Sequence, residues 1–351
     1  AKLVADDAAT LDKFGNSVSI SGDYVVVAAQ GDGGSETGSA YIFIRSGTSW
    51  SQQAKIVSSD LATSDYFGFS VSIDGDYAIV GAPFDDDAGN ASGSAYIFIR
   101  SGTSWSQQAK LVAGDAAASD RFGWSVSISG DYAIVGSYSD DDGGTSSGSA
   151  YIFIRSGTSW SQQAKLVASD AASSDQFGYS VSIDGDYAVV GLSSSKSPEP
   201  AYIFKRDGTS WSQQEKLTAS DAGSNKFGTS VSISGDYAVV GAYQDDDGGT
   251  TQSGSAYEFT RSGTSWSQQA KLVASDAATN DQFGYSVSIS GDYAVVGAIQ
   301  DDDGGNASGS AYVYQIITGG DVTAPTITSV SVASDNSTIS VTISESVFNT
   351  N

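Results

Sequence analysis

Residues 122–135 read Phe-Gly-Trp-Ser-Val-Ser-Ile-Ser-Gly-Asp-Tyr-Ala-Ile-Val. Close variants of this stretch start at six phenylalanines that are 50 to 56 residues apart: Phe14, Phe67, Phe122, Phe177, Phe227 and Phe283. Five copies continue into Gly-Thr-Ser-Trp-Ser-Gln-Gln, with the tryptophans Trp50, Trp105, Trp160, Trp211 and Trp266. A period near 50 residues that is rich in strand signals predicts an array of small sheets, which bury their faces by stacking on one another.

One copy shows the strand pattern within a repeat. From Phe122 to Ile128, apolar residues alternate with small ones, which predicts a strand with one apolar face. Residues 132–136 form a short apolar run typical of a buried strand, residues 149–155 a third strand and residues 160–167 an outer, fourth strand. Four antiparallel strands in each of six repeats predict an all-β chain folded as a six-bladed β-propeller. No stretch keeps a 3.6-residue period, which excludes a helical solenoid.

The two ends of the repeat region predict how the ring closes. The sixth repeat lacks the Trp-Ser-Gln-Gln strand after Ile317, while residues 1–4 read Ala-Lys-Leu-Val and match residues 109–112 of an outer strand. We therefore expect residues 1–4 to form the fourth strand of the sixth blade, which ties the termini together and removes an exposed sheet edge. A seventh blade from sequence outside these 351 residues is the alternative.

Two short signatures carry a resemblance to a known family. Phe67-Gly68 and Gly81-Ala82-Pro83 resemble the signatures of the FG-GAP repeat family, and the resemblance covers residues 1–318 in six copies. Its best-known members are the propellers of integrin α subunits, which carry a calcium loop of Asp-x-Asp-x-Asp-Gly type between the first two strands. This chain has only Ser-Gly-Asp-Tyr or Asp-Gly-Asp-Tyr there, so that calcium site is not expected. The resemblance implies adhesion, matrix or scaffold roles in large surface and secreted proteins.

The composition changes after the propeller, which we place at residues 1–318. Residues 319–325 read as a linker, and residues 326–351 resemble the start of a bacterial-type immunoglobulin-like domain. Residues 326–332 and 338–343 are its two predicted strands. A sandwich of this type needs about seven strands, so we expect either further sequence beyond Asn351 or pairing with a neighbour.

Composition excludes several classes of function. Asp plus Glu is 41 against a Lys plus Arg count of 16, a net charge of −25, so nucleic acid and anionic membrane surfaces are disfavoured partners. The chain has no Cys and no His, which removes thiol nucleophiles, thiolate zinc sites and imidazole bases. No run of 18 apolar residues is present, so no membrane insertion is expected. The chain opens directly on a strand-like segment, as expected where a leader has been removed.

An acidic loop follows the second strand of four repeats, and its Asp-Asp-Asp run starts 18 residues after the phenylalanine of the repeat. Carboxylates about 6 Å apart repel by roughly 0.7 kcal/mol per pair even in water, and a hard cation with oxygen ligands relieves that repulsion. The first and third carboxylates of each run are candidate calcium ligands: Asp85, Asp87, Asp140, Asp142, Asp245, Asp247, Asp301 and Asp303. The alternative is a solvated acidic turn that keeps a repetitive β protein soluble, because the run lacks the spacing of an EF-hand loop.

Two further patterns bear on function. Asn-x-Ser/Thr sequons are candidate glycosylation sites of a secreted glycoprotein, at Asn90, Asn306 and Asn336. Most repeats carry an aromatic residue two positions after the phenylalanine: Phe69, Trp124, Tyr179 and Tyr285. These rings either line a groove that stacks on sugars or fill the space between blades.

Taken with the resemblance, these features predict a non-enzymatic extracellular structural or adhesion module, secreted or at the cell surface, that is a building block of a larger assembly. Its expected partners are other copies of itself or other surface and matrix proteins. The alternative is a propeller that binds a glycan or protein ligand, with calcium as a possible cofactor. An enzyme is disfavoured, because no carboxylate pair differs from its counterparts in the other repeats, whereas a catalytic site would be unique.

Overall fold

Each repeat forms one antiparallel sheet in the computed structural model, and the six sheets are the blades of a propeller. The structure describes residues 1–60, 62–194, 199–221, 226–246, 250–305, 307–316, 327–332 and 339–343. The chain divides into two compact units, Ala1–Tyr314, which contains the blades, and Gln315–Asn351. No helix in the described part reaches the length and apolarity that crossing a membrane requires.

The strands run consecutively through the blades. In blades one to three they are β1 Phe14–Ser21, β2 Tyr24–Ala29, β3 Ser39–Ser46, β4 Ser49–Ile56, β5 Ser70–Asp74, β6 Tyr77–Ala82, β7 Ser94–Ser101, β8 Ser104–Leu111, β9 Ser125–Ser129, β10 Tyr132–Ser137, β11 Ser149–Ser156 and β12 Ser159–Leu166. In blades four to six they are β13 Ser180–Asp184, β14 Tyr187–Gly191, β15 Ala201–Asp207, β16 Ser210–Leu217, β17 Phe227–Ser234, β18 Tyr237–Ala242, β19 Ser255–Ser262, β20 Ser265–Leu272, β21 Phe283–Ser290, β22 Tyr293–Ala298 and β23 Ser310–Gln315. An irregular loop that contains residues 32–36, three of them with positive φ outside the helical region, lies between β2 and β3.

The first strand of every blade lies at the axis. First strands of neighbouring blades pack side by side, β1 on β5, β5 on β9, β9 on β13, β13 on β17 and β17 on β21. One isoleucine from each first strand lines a shared cavity of about 400 Å³: Ile20, Ile73, Ile128, Ile183, Ile233 and Ile289. This six-fold lining confirms the predicted six-bladed propeller.

Serines on the first strands join one blade to the next. Each first strand pairs on one side only, so the N–H groups of its inner edge need other acceptors. The amide of Ile73 donates to Ser19 Oγ at 3.1 Å, and the amide of Ile128 donates to Ser72 Oγ at 3.2 Å. The small polar face seen in the sequence is therefore the hydrogen-bonding face between blades.

The core lies between blades. Ile79 and Ile97 of blade two pack with Val126 and Phe153 of blade three, and all four side chains are buried. Gly81 shows how closely the blades approach, because a Cβ there would lie 2.0 Å from the carbonyl oxygen of Gly123 in the next blade. The glycine of the Gly-Ala-Pro signature is thus required by backbone contact between blades.

The predicted first strand of the third repeat starts too early. Strand β9 begins at Ser125, not Phe122; Gly123 has a φ of +91°, and the equivalent glycines of blades one, five and six lie in a register shift of first strands that begin at the phenylalanine. The Phe122 ring instead enters the core, edge to face with Tyr151 at 5.5 Å between ring centroids. The other three strands of that repeat match their predicted positions within two residues.

The predicted closure by the N-terminal strand is wrong in this structure. Among the described residues, blade six has the three strands β21, β22 and β23, and residues 1–4 belong to no strand. Ala5 does lie as the match predicts, buried against Tyr41 and Phe43 of blade one just as Ala113 is buried against Tyr151 and Phe153 of blade three. The difference from the prediction is that residues 1–4 lack the backbone pairing that would add them to β23.

The second unit contains two strands, β24 Ile327–Val332 and β25 Ile339–Ile343, which pair antiparallel with Val330 opposite Val341. They coincide with the two strands predicted from the sequence. The linker predicted at residues 319–325 lies outside the described residues, and the immunoglobulin-like resemblance stays a prediction.

Candidate functional site

The acidic loops contact a lysine of the fourth strand, which was not among the residues predicted from the sequence. In blade two, carboxylate oxygens of Asp60, Asp85 and Asp87 lie within 4.8 Å of one another. Lys110 Nζ stands among them, 2.7 Å from Asp60 Oδ2 and 2.9 Å from Asp85 Oδ2, and it also donates to Asp87. The Tyr96 hydroxyl donates to Asp85 at 2.6 Å. We call this group an Asp–Lys–Tyr cluster.

The cluster recurs around the ring with variations. Blade three repeats it fully, with Lys165 Nζ 2.7 Å from Asp115 and 3.0 Å from Asp140 and also bonded to Asp142. The lysines of blades one and five each bridge two described carboxylates, and that of blade four contacts one. These sets are Lys55 with Asp7 and Asp32, Lys271 with Asp221 and Asp245, and Lys216 with Asp170.

Ion pairing lowers the pKa of an aspartate in these clusters and raises the pKa of a lysine. Burial alone raises the pKa of Asp32, but hydrogen bonds from Lys55, Ser39 and Tyr41 outweigh it and lower the pKa to about 2. Burial alone lowers the pKa of Lys110, but its hydrogen bonds to the surrounding carboxylates and to Tyr96 outweigh it and raise the pKa. The Asp32 carboxyl and the Lys110 amine are therefore both charged at neutral pH.

The carboxylates predicted as calcium ligands lie close together in blades two and three, and calcium binding there stays a prediction. The first and third carboxylates of the acidic loop do face the same point, as Asp85 and Asp87 show, and groups of this kind could hold a metal ion. The ammonium of Lys110 stands among those oxygens, however, and neutralises part of their charge. Asp247 lies outside the described residues. The repeated Gln-Gln-Ala-Lys of the fourth strand was the available signal for this lysine.

Blade six has the carboxylates of the cluster without a lysine from its own sheet. The Tyr312 hydroxyl donates to Asp276 at 2.7 Å and to Asp301 at 2.6 Å. The negative charges of Asp301 and Asp276 raise the pKa of Asp303. The lysine is lacking here because the fourth strand, which supplies it in the other blades, is absent from the described part of blade six.

Aromatic side chains gather at the start of the first strands, at the end of the axis away from the isoleucine cavity. Phe69 contacts Trp124 with ring centroids 4.3 Å apart, and Trp124 contacts Tyr138 at 4.5 Å and Tyr179 at 5.6 Å. Burial raises the pKa of Tyr179 to about 12, with smaller contributions from neighbouring tyrosines of other blades. We call these four residues the aromatic mouth; its rings are half-buried and span blades two to four.

Of the predicted glycosylation sites, only Asn90 lies in the described part of the chain. It is exposed in the loop between β6 and β7, whereas Ser92 of the same sequon is buried. Asn306 and Asn336 lie outside the described residues.

The six repeats match the model of a known protein family. The model of the FG-GAP repeat matches residues 1–43, 50–98, 105–153, 160–204, 211–259 and 266–314. The chain belongs to the FG-GAP repeat family. The six matched segments cover the unit Ala1–Tyr314 and alternate with the hairpin turns between third and fourth strands. No curated protein matches the chain.

The Gly-Asp-Tyr aspartate of the FG-GAP repeats has a structural role. Asp76 binds the guanidinium of Arg100, which also stacks on the Tyr24 ring of the preceding blade, 4.5 Å from its centroid. The same arrangement of arginine, aspartate and tyrosine is present for Arg155, Arg206 and Arg261. These residues join each of blades two to five to the blade before it.

Proposed function

We propose that this FG-GAP propeller is a non-enzymatic structural or adhesion module of an extracellular assembly, secreted or held at a cell surface. The observation that carries the proposal is the repetition of the polar clusters. The Asp–Lys–Tyr cluster of blade two recurs in blade three with the same partners and nearly the same distances. A catalytic site needs one constellation that differs from its surroundings, with groups poised to exchange protons or bind a reacting atom.

The charges of the clusters support the same conclusion. A general base must be free to accept a proton near the working pH. Lys110 and Lys165 hold the carboxylates of blades two and three in ion pairs, and the pKa values of Asp60 and Asp115 are lowered because hydrogen bonds from lysine and tyrosine outweigh burial. Such groups stabilise blades rather than transfer protons.

Calcium and the lysine ammonium would compete for the same carboxylates. Oxygen ligands at Asp85 and Asp87 suit a hard divalent ion, but the ammonium of Lys110 already lies among those oxygens. Calcium binding at blade two therefore requires the lysine side chain to move away. We assign the ion a stiffening role in the loops, secondary to the internal ion pairs.

A second candidate function, glycan or protein-ligand binding, is favoured by the aromatic mouth. The half-buried rings of Trp124 and Tyr179 offer a surface on which a sugar or an apolar side chain could stack. This cluster departs from the six-fold repetition, because the equivalent residues of blades one and five are Asn16 and Thr229.

Electron microscopy of the protein isolated from its source tests the main proposal. Regular filaments, sheets or a surface layer that contains the chain are expected. Dispersed single molecules that bind a defined glycan, with affinity lost in Trp124→Ala and kept in Tyr293→Ala, would favour the second candidate instead. Tyr293 serves as the control because it is an exposed aromatic residue away from the mouth.

A further inference from the structure

Two edge-to-face tyrosine pairs lie at the end of the axis that holds the aromatic mouth. Tyr138 of blade three contacts Tyr179 of blade four at 5.8 Å between ring centroids, with the rings inclined by 70°. Tyr243 of blade five contacts Tyr285 of blade six in the same way, at 5.3 Å and 68°. Each pair joins the residue after a second strand to the beginning of the next first strand, so the same two repeat positions carry tyrosine at two alternate junctions.

The junction between these pairs, from blade four to blade five, has small side chains at both positions. Ser193 and Thr229 stand where the flanking junctions have tyrosines, and both are half-buried. The Thr229 hydroxyl donates to the carbonyl oxygen of Lys226 at 2.8 Å, which holds the side chain against its own turn. Among the described residues, a gap that two phenol rings would fill is therefore left between the tyrosine pairs.

The hydroxyls of the four tyrosines are available to a ligand. None has a hydrogen-bond partner in the described part of the chain, and none is closed off from solvent. By contrast, Tyr96 and Tyr151 donate to buried aspartates. Burial, followed by the other three phenols, raises the pKa of Tyr179 to about 12, so its hydroxyl stays a donor at neutral pH. Four accessible phenols around one gap suit a ligand that exchanges hydrogen bonds with them.

The charges around the gap favour a neutral ligand. Lys226, which precedes the phenylalanine of blade five, donates to the carbonyl oxygen of Ser194 at 2.7 Å and forms an ion pair with Glu199 at 3.5 Å. Arg121 at the same position of blade three lies over the Phe84 ring, 4.0 Å from its centroid. The net charge of −25 repels polyanions. Aromatic faces combined with hydroxyls match the apolar faces and hydroxyls of a neutral sugar.

We propose that the gap between the two tyrosine pairs binds a neutral oligosaccharide. One sugar ring lies over Thr229, between Tyr179 and Tyr285, and its hydroxyls exchange hydrogen bonds with the phenols. Trp124 extends the aromatic surface for the adjoining sugar, because it contacts Tyr138 at 4.5 Å and Tyr179 at 5.6 Å. The gap spans a single junction, which suits one ring of a sugar better than an extended peptide. The inference rests on the second candidate function and commits it to one class of ligand.

Calorimetric titration of the full chain tests the proposal. The probes are cellohexaose, laminarihexaose, maltohexaose and mannohexaose, with oligogalacturonate as the anionic counterpart and decaproline as the peptide counterpart. At least one neutral oligosaccharide should bind, about tenfold or more tightly than oligogalacturonate or decaproline. Failure of all the neutral probes to bind, or equal or tighter binding of either counterpart, would overturn the inference.

A substitution taken from the repeat itself locates the ligand. Thr229→Tyr introduces the residue that blades four and six already carry, so it suits the fold and fills the gap. It should abolish oligosaccharide binding. Thr229→Ser is the matched control, because it keeps both the gap and the hydroxyl, and its affinity should equal that of the wild type.

Removal of single hydroxyls provides a second measurement that leaves the rings in place. Tyr179→Phe and Tyr285→Phe should each weaken oligosaccharide binding about three- to tenfold, the effect of one lost hydrogen bond. Tyr237→Phe should leave the affinity unchanged, because Tyr237 begins β18 at the opposite end of blade five. Unchanged affinity in both Tyr179→Phe and Tyr285→Phe would contradict the proposed contacts.

The outcomes separate this inference from the second candidate function. A protein ligand whose affinity is lost in Trp124→Ala, with no binding of any oligosaccharide, would refute the inference and leave that function standing. Oligosaccharide binding that persists in Thr229→Tyr would also refute the inference, because the sugar would then lie elsewhere on the molecule.

Discussion

At the scale of single residues, a buried glutamate stands where the other complete blades have isoleucine. Glu258 of β19 occupies the position of Ile42, Ile97, Ile152 and Ile203, and it is 4% exposed. Its Oε1 has no hydrogen bond in the described structure, and burial raises its pKa. An unpartnered carboxyl in an apolar interface costs free energy whenever it ionises.

Glu258→Ile should therefore stabilise the propeller by about 1–3 kcal/mol at pH 7. Because the pKa in the folded state lies above the ordinary value of 4.5, the folded state binds the proton more tightly. The wild type should gain stability as pH falls from 7 toward 4.5, and the variant should lack that part of the gain. Urea unfolding at several pH values measures both effects.

Glu215→Ile is the control, because Glu215 lies on the outer strand β16 and is only partly buried. It should not give the stabilisation expected of Glu258→Ile, because its carboxyl is not enclosed in the apolar interface. A variant Glu258→Ile that is less stable than the wild type at pH 7 would show that the carboxyl has a partner of its own.

The lysine of the Asp–Lys–Tyr cluster is a second residue on which the stability of the propeller depends. Lys110→Gln leaves Asp60, Asp85 and Asp87 without a cation, and we expect a loss of about 1–3 kcal/mol, between the values for exposed and buried ion pairs. Calcium should restore part of that loss and should stabilise the wild type less. Thermal unfolding with calcium and with a chelator measures the difference.

Lys216→Gln in blade four is the matched control. Among the described residues Lys216 forms an ion pair with Asp170 alone, so its loss should be smaller and calcium should not rescue it. Equal rescue of both variants would mean that calcium acts elsewhere on the molecule.

The residues of these clusters were only partly predictable. The triple-Asp runs are visible in the sequence, and in blades two and three their first and third members do converge, at an Asx turn in which the amide of the third residue donates to the first carboxylate. Lys110 was not predicted, because it reaches Asp85 across a sheet from 25 positions along the chain. The aromatic residues two positions after each phenylalanine were identified, but their contacts across blades depend on packing that a single repeat does not reveal.

At the scale of elements, the outermost strands are joined by tryptophan. The indole Nε1 of Trp105 in β8 donates to Gln53 Oε1 in β4 of the preceding blade at 3.0 Å, and the same bond joins Trp160 to Gln108 at 2.9 Å. The Trp-Ser-Gln-Gln sequence thus supplies the donor of one junction and the acceptor of the next.

Trp105→Phe keeps an aromatic ring beside Tyr24 but removes the donor, so we expect a loss of about 1 kcal/mol. Trp50→Phe is the matched control, because Trp50 has no indole hydrogen bond among the described residues and its loss should be smaller. Chemical unfolding of the two variants makes the comparison. Equal losses would mean that the ring, not the hydrogen bond, carries the contribution.

Most strands were predictable because their period of two and their turn residues are local signals. The exceptions involve long-range geometry. Glycines with positive φ, such as Gly123, break the register at the start of the first strands, and residues 1–4 have the sequence of an outer strand but pair with none of the described strands. A sequence match shows what a segment can pair with, and it does not show whether the pairing forms.

At the scale of the whole molecule, the net charge of −25 opposes compactness. The internal ion pairs are short and partly buried, so salt screens them less than it screens repulsion between exposed carboxylates. We expect the unfolding temperature to rise when NaCl is increased from 10 mM to 500 mM. Sodium sulfate at matched ionic strength separates screening from other salt effects, and a fall in both salts would show that the ion pairs dominate.

The third strands carry a consequence for how the chain reaches this fold. Residues 39–46, 94–101 and 149–156 are the same eight residues, Ser-Ala-Tyr-Ile-Phe-Ile-Arg-Ser, so the side chains of this strand cannot distinguish blades one, two and three. Doubling the intervening loop adds only about 0.6 kcal/mol of closure entropy, a weak penalty against misordered blades. Synthesis from the N-terminus favours the correct order of blades, because each blade can dock on its predecessor before the next copy of the same strand has left the ribosome.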